Sequence, residues 1–141
     1  MTKTEVTTVK AKPNVNAAVR EAVNSEKYDE YRKQWDKVTK LDLVTEFPLQ
    51  IDFELNYSCN FTCPMCTWNM ESTEQKGKQT WFDFEVFKEV IDQGVKEGLK
   101  SIRLNYINEP LIRKDITKFI SYAHKAGILD IYFSTNGSLL S

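Results

Sequence analysis

Three cysteines, Cys59, Cys63 and Cys66, are the residues of this sequence most able to do chemistry, and the chain of 141 residues has no others. They lie within one stretch, CNFTCPMC, and three thiols cannot all pair with one another as disulfides. Thiolate sulfur is a soft ligand that suits zinc and iron–sulfur clusters. Either one thiol is left over, or the three thiols hold one metal centre together.

The lack of a nearby fourth ligand favours an iron–sulfur cluster over zinc. A tetrahedral structural zinc needs a fourth ligand, and the only histidine, His124, lies far along the chain at the end of a predicted helix. We expect His124 to be exposed there and assign it no chemistry. In a [4Fe–4S] cluster, three cysteines hold three irons, and the fourth iron stays open for an external ligand. An open site is what catalysis needs.

Composition excludes several classes of partner. The chain is 41% hydrophobic, which is enough for a globular core, and its 19 basic and 20 acidic residues give a net charge of −1. That balance creates no field to attract nucleic acid or an anionic membrane, and no apolar run approaches the roughly 20 residues that cross a bilayer. The polar opening MTKTEVTTVKAKPN is unlike a secretory signal. We expect a cytoplasmic protein, where clustered cysteines more often bind metal or do redox chemistry than form disulfides.

The chain divides into an amino-terminal extension, residues 1–45, and a core, residues 46–141. Residues 1–14 read as a disordered lead, and residues 15–40 carry a ragged apolar stripe at helical spacing. After that stripe, strands and helices alternate, which predicts an α/β fold with parallel strands. The predicted elements are a strand at 49–55, a helix within 81–98, a strand at 101–106, a helix at 113–126 and a strand at 129–134. The first helix should bury a face that includes Phe87 and Ile91 and stop at Gly98, and Gly127 should follow the second.

Each predicted strand has one apolar and one polar face. On the first strand Ile51 and Phe53 alternate with Asp52 and Glu54, and the other two strands repeat the pattern. We expect the apolar face to lie under the helices. The polar face either lines a wet cavity or is simply exposed to solvent, and the sequence leaves both interpretations open.

The loops after the three strands should meet at one edge of the sheet, because ligands of parallel α/β folds bind beyond the carboxyl ends of the strands. Those loops read YSCNFTCPMC, YINEPL and STNGSL. Simpler interpretations remain for the last two. Glu109 before Pro110 fits a plain helix cap, and Asn136 with Gly137 fits a plain turn.

This arrangement resembles the radical SAM superfamily, whose signature has three cysteines spaced as Cys59, Cys63 and Cys66 are, on the loop after the first strand. The family's Gly-Gly-Glu-Pro motif after the second strand matches residues 107–110, and Thr-Asn-Gly after the third matches residues 135–137. The lead-in to the cysteines is similar to that of members ending in a SPASM domain. The fold implied is the amino-terminal part of a partial (β/α)6 barrel, preceded by a helical extension.

The resemblance implies a [4Fe–4S] cluster held by the three cysteines and a bound S-adenosyl-L-methionine. In this family, reductive cleavage of S-adenosylmethionine gives a 5′-deoxyadenosyl radical that abstracts hydrogen from substrate. The resemblance implies that backbone groups around Asn108, Glu109 and Pro110 meet the methionine amino group, with Glu109 anchoring that loop. It also implies that Ser134 and Asn136 lie near the methionine carboxylate or the ribose. Implied partners are a peptide, sugar or other small-molecule substrate and an electron donor such as flavodoxin or ferredoxin.

Two features depart from the family pattern. Ile107 and Asn108 replace the two glycines, whose lack of a side chain lets the backbone approach the methionine end closely. The chain also ends at Ser141, soon after the third strand, so the barrel core implied is incomplete. The competing hypothesis is a non-catalytic module in which the three cysteines hold a metal or an iron–sulfur cluster for structural reasons.

Overall fold

The computed structural model describes residues 25–67 and 80–140. The predicted disordered lead, the start of the predicted amino-terminal helix and most of the polar segment after the cysteines lie outside these residues. In chain order the elements are α1 (Ser25–Thr39), β1 (Gln50–Asp52), α2 (Phe84–Glu97), β2 (Ser101–Arg103), a short 3-10 helix (Pro110–Ile112), α3 (Ile116–Ala126) and β3 (Asp130–Tyr132).

The three strands form one parallel sheet in the order β1-β2-β3. Ile51, Ile102 and Ile131 lie side by side in its register. Helix α2 connects β1 to β2 and α3 connects β2 to β3, as required of parallel neighbours, whose connections must cross back over the sheet. The expected α/β fold with parallel strands is confirmed.

Each strand is shorter than its sequence pattern predicted. Just past β1 and β2 the backbone still pairs, since the N–H of Phe53 donates to the carbonyl oxygen of Arg103 (2.7 Å) and that of Leu104 to the carbonyl oxygen of Tyr132 (2.9 Å), but further along side chains take over. The N–H of Ser134 donates to Oδ1 of Asn105 (2.9 Å). The N–H groups of Tyr106 and Ile107 both donate to Oε2 of Glu54 (3.0 and 2.9 Å). Backbone groups bonded in this way are satisfied without extending the sheet. Hydrophobic alternation continues past that point, and so it overestimated the strand lengths.

Local signals define both ends of α2. Oδ1 of Asp83 accepts hydrogen bonds from the N–H groups of Glu85 (2.7 Å) and Val86 (3.0 Å), as an N-cap side chain does. The helix ends at Gly98, whose φ of 106° lies in the left-handed region that glycine tolerates best. Gly127 ends α3 in the same way with a φ of 103°.

The hydrophobic core lies between the apolar face of the sheet and the two helices, as expected. Phe87 of α2 is fully buried and packs edge-on against Phe53 beyond β1 and Phe119 of α3, with ring centroids 4.8 and 4.9 Å apart. Such edge-to-face pairs are the favoured geometry for aromatic rings. The buried core cluster comprises Phe53, Leu55, Phe87, Ile91, Leu99, Ile102, Leu104, Ile116, Phe119, Ala123 and Ile128.

The polar face of the sheet is covered at one end and open further along. Tyr31 of α1 is only 2% exposed, and its hydroxyl donates to Oδ2 of Asp130 (3.3 Å) at the start of β3. Further along the strands, Asp52 and Tyr132 are exposed. The helical extension therefore packs against the first row of the polar face. Burial is the main cause that raises the pKa of Tyr31 above its ordinary value of 10.0.

Replacing Tyr31 by phenylalanine tests this packing through pH. A raised pKa means that folding favours the neutral phenol, so its contribution is fully present below about pH 10 and is lost as the pH rises further. We expect Tyr31→Phe to unfold more easily than the wild type at pH 8, by about 1 kcal/mol for the lost hydrogen bond. The gap should narrow toward pH 11 in urea denaturation curves. A difference in the free energy of unfolding that stays constant from pH 8 to pH 11 would contradict this coupling between Tyr31 ionisation and folding.

Candidate functional site

Glu109 joins the loops that follow the three strands. Its side chain is 2% exposed, and Oε1 accepts hydrogen bonds from the hydroxyl of Thr135 (2.8 Å) and the N–H of Leu111 (3.0 Å). Oε2 accepts from the N–H of Asn136 (2.8 Å), and the N–H of Glu109 itself donates to the carbonyl oxygen of Ser58 (3.1 Å). One buried carboxylate thus contacts the third loop while its backbone contacts the residue before Cys59.

The two interpretations of Glu109 are compatible in the structure. It is the N-cap of the short helix that Pro110 begins, and its bond to the N–H of Leu111 is the capping contact. Pro110 is buried as the first residue of that helix, a position where its missing N–H costs nothing. The capping contact is only one of the hydrogen bonds that the carboxylate accepts. The other two come from Thr135 and Asn136 of the third loop.

Asparagine side chains connect the first two loops at the carboxyl edge of the sheet. Nδ2 of Asn56 donates to the carbonyl oxygens of Ser58 (3.0 Å) and Glu109 (3.3 Å), and Nδ2 of Asn108 donates to the carbonyl oxygen of Asn56 (3.1 Å). Both asparagines are buried, and their Oδ1 atoms find no hydrogen-bond partner among the described residues. The junction therefore has two unused acceptors. Asn108, which stands where the family has glycine, acts through its side chain.

The third loop is attached to the other two at separate points. The carbonyl oxygen of Asn108 accepts from Nδ2 of Asn105 (3.1 Å), whose Oδ1 accepts from the N–H of Ser134. Nδ2 of Asn136 donates to Oδ1 of Asn60 (2.9 Å), the residue after Cys59. Ser134 and Asn136, both predicted to face the cofactor, are exposed on this loop. All three loops therefore meet at one edge of the sheet.

The three cysteines lie on the first loop as free thiols. Cys59 and Cys66 are half-buried and Cys63 is exposed. The N–H of Phe61 lies 3.5 Å from Sγ of Cys59, and a turn brings the N–H of Cys66 to the carbonyl oxygen of Cys63 (3.0 Å). Each thiol is thus accessible or partly so, and one turn spans Cys63 to Cys66.

The three thiols are the type of ligand that binds an iron–sulfur cluster, although they are not already grouped around one point. Within residues 25–67 and 80–140, no three Cys, His, Asp or Glu side chains are grouped closely enough to hold a metal ion as they stand. Three sulfurs on one short segment can converge by rotations within that segment. His124 is exposed in the last turn of α3, which leads into the opposite, amino-terminal end of β3, so it is no candidate for a fourth ligand.

Comparisons with known proteins agree with this geometry. The chain is 35% identical over 105 residues to the GTP 3′,8-cyclase of Campylobacter lari, covering 70% of this chain and 31% of that protein. It is 32% identical over 87 residues to the probable GTP 3′,8-cyclase of Sulfurisphaera tokodaii, covering 62% of this chain and 26% of that protein. The chain thus spans about a quarter to a third of the length of these curated relatives. No family model matches it.

A solved structure has the same fold over most of the chain. The crystal structure of BtrN in complex with AdoMet and 2-DOIA matches with a TM-score of 0.58 at 21% identity, covering 70% of this chain and 39% of that one. The chain belongs to the radical SAM superfamily. Its parallel sheet and helices correspond to part of a radical SAM barrel. At this identity, the likeness to BtrN speaks for the fold alone.

Several residues that shape this candidate site escaped the sequence analysis. Asn56 and Asn60 flank Cys59 without forming a recognisable motif, and Glu54 looked like an ordinary residue of the polar strand face. Trp81 is 47% exposed and pairs with Asn56 in an antiparallel bridge at the base of the cysteine loop. These roles depend on contacts between distant segments, which residue spacing does not reveal.

Replacing Glu109 by glutamine tests the carboxylate contacts. Every group around the two oxygens is a donor, so an amide NH2 in place of one oxygen would leave a buried donor unpaired. We expect Glu109→Gln to lower the free energy of unfolding by about 1–3 kcal/mol at pH 7. Urea denaturation measures this loss, and the amide signal of Asn136 should shift in NMR spectra.

The matched control is Glu89→Gln, the same chemical change at an exposed position of α2. A surface substitution of this kind should stay within about 0.5 kcal/mol of the wild type. Equal effects of the two substitutions would contradict the role given to Glu109.

Proposed function

We propose that this chain is the cofactor-binding part of a radical SAM enzyme. The observation that carries the proposal is the convergence of the three loops on Glu109, which brings the cysteine segment beside the motifs after β2 and β3. A structural metal site would need the cysteines alone. The contacts between the loops support a larger site, in which the cluster lies next to a second bound molecule.

Cys59, Cys63 and Cys66 are the proposed ligands of a [4Fe–4S] cluster. When bound, the cluster would supply the electron for reductive cleavage of S-adenosylmethionine. That cleavage gives a 5′-deoxyadenosyl radical, which abstracts a hydrogen atom from substrate. The protein supplies ligation, orientation and exclusion of water. The first loop has turns and accessible thiols suited to ligation, while the base of the loop is fixed to the sheet. A reducing cytoplasm, which we propose as the location, keeps these thiols free.

The second and third loops are proposed to bind S-adenosylmethionine. Asn108, Glu109 and Pro110 would shape the end near its amino group, and the free acceptors on Asn56 and Asn108 support a ligand that brings N–H donors. Because the Glu109 carboxylate is already committed to three donors, we assign it to holding the loops rather than to direct contact. Ser134 and Asn136 are exposed and would face the carboxylate or the ribose.

The substrate is proposed to be a peptide, sugar or other small molecule, and GTP joins the list to be tested because the relatives are GTP 3′,8-cyclases. The cleavage step consumes one electron, so a donor such as flavodoxin or ferredoxin is the proposed protein partner. The described residues contain no helix long and apolar enough to cross a membrane.

Anaerobic reconstitution with iron and sulfide tests the proposed function. We expect about four irons per chain and a reduced EPR spectrum that changes when S-adenosylmethionine is added, because three cysteines leave one iron open. Replacing any one of the three cysteines by serine should lower the bound iron to less than about a quarter of the wild-type level. Thiolate is a much better ligand for iron–sulfur clusters than a hydroxyl group.

The matched control is Met65→Leu, within the same segment but 80% exposed, and we expect it to bind iron as the wild type does. Zinc in place of iron, or a cluster whose EPR spectrum ignores S-adenosylmethionine, would overturn the enzyme proposal. Either result would instead support the alternative of a non-catalytic metal-binding module.

A further inference from the structure

The cysteine-bearing segment leaves and re-enters the sheet at a closed base. After β1, the N–H of Tyr57 donates to the carbonyl oxygen of Thr80 (3.1 Å), and the N–H of Phe82 donates to the carbonyl oxygen of Leu55 (3.0 Å). Between these bonds, Asn56 and Trp81 form an antiparallel bridge. Two residues of antiparallel pairing are marginal on their own, since even a complete isolated hairpin is barely stable in water. Something else must hold the base together.

Arg113 follows the short 3-10 helix of the second loop and reaches that base through its side chain. It is 7% exposed, and its Nη1 donates to the carbonyl oxygens of both Leu55 (2.9 Å) and Phe82 (2.7 Å). One nitrogen thus bonds a backbone carbonyl on each side of the base. Hydrogen bonds from a charged donor are stronger than neutral ones, and burial strengthens them further.

The guanidinium group is itself fixed by the start of α3. Nε donates to Oδ1 of Asp115 (2.9 Å), and Nη2 lies 3.4 Å from its Oδ2. The guanidinium carbon lies 4.1 Å from the ring centroid of Phe119, a fully buried residue of α3, within the range of a cation–π contact. These contacts link the base of the cysteine segment to the hydrophobic core.

We propose that Arg113 is a positioning residue that clamps both ends of the cysteine-bearing segment to α3 and thereby fixes where the three thiols are presented. Only a guanidinium group has the fixed fork of donors that serves two carbonyls and a carboxylate at once, so lysine cannot replace it. The clamp itself is a property of the protein backbone. Its consequence for the cluster rests on the proposed function.

Hydrogen exchange on the metal-free full chain tests the clamp directly. We expect Arg113→Lys to speed exchange of the Tyr57 and Phe82 amides by about tenfold or more, because both donate within the base. The amide of Leu104, which donates to the carbonyl oxygen of Tyr132 in the sheet, should keep its wild-type rate. Local opening of this kind is separate from global unfolding. The matched control is Arg32→Lys on α1, which should match the wild type at all these amides.

The pattern of rates decides between the outcomes. Unchanged exchange rates at Tyr57 and Phe82 would overturn the clamp. Equal acceleration at Leu104 would also overturn it, because Arg113 would then contribute only to the overall stability of the fold. Should Arg113→Lys fail to fold, Asp115→Asn carries the test. It keeps the arginine but weakens its charge partner, so we expect the same selective pattern with a smaller increase.

Iron binding provides the second readout. In the reconstituted Arg113→Lys protein, we expect a chelator to remove iron several-fold faster than from the wild type or Arg32→Lys. Equal removal rates would overturn the consequence for the cluster and leave the clamp to the exchange data. If the wild type itself binds no iron, the proposed function fails, while hydrogen exchange still decides the role of Arg113.

Discussion

A carboxylate buried at the edge of a parallel sheet is the constraint on which this site depends. Burying Glu109 is tolerable only if donors surround it, since an unpaired buried charge is costly. The donors come from its own helix and from the third loop, at Leu111, Thr135 and Asn136. Satisfying one side chain therefore fixes two loops against each other, and the backbone of Glu109 holds the approach to Cys59 as well.

The sheet makes this constraint useful. The loops that follow parallel strands lie at one edge of the sheet, so the topology alone brings the cysteines and both other motifs together. Polar side chains then complete the assembly: buried asparagines join the first two loops, and Arg113 ties the base of the cysteine segment to the core. The thiols lie on a largely exposed part of a well-anchored loop. That combination suits residues that must converge on a cofactor while keeping their place in the fold.

Sequence reasoning predicted the elements and their order because hydrophobic periodicity and glycine stops are local signals. The face of α2 containing Phe87 and Ile91 and the ends at Gly98 and Gly127 are confirmed. The predicted strand ends were wrong. Hydrophobic alternation does not show where a side chain such as that of Asn105 bonds the backbone in place of the neighbouring strand. Arg113 was missed for a related reason. Its partners lie 58 and 31 residues away in the chain, and no spacing rule connects them.

The proposed function depends on the loops being held together, and the cysteines alone would not provide it. A double-mutant cycle between Glu109→Gln and Thr135→Val tests that claim most directly, because it isolates the contact between the second and third loops from the other effects of each change. We expect a coupling free energy of about 1 kcal/mol or more in urea denaturation, as found for residues sharing a buried network. Additivity of the two substitutions within about 0.3 kcal/mol would contradict it.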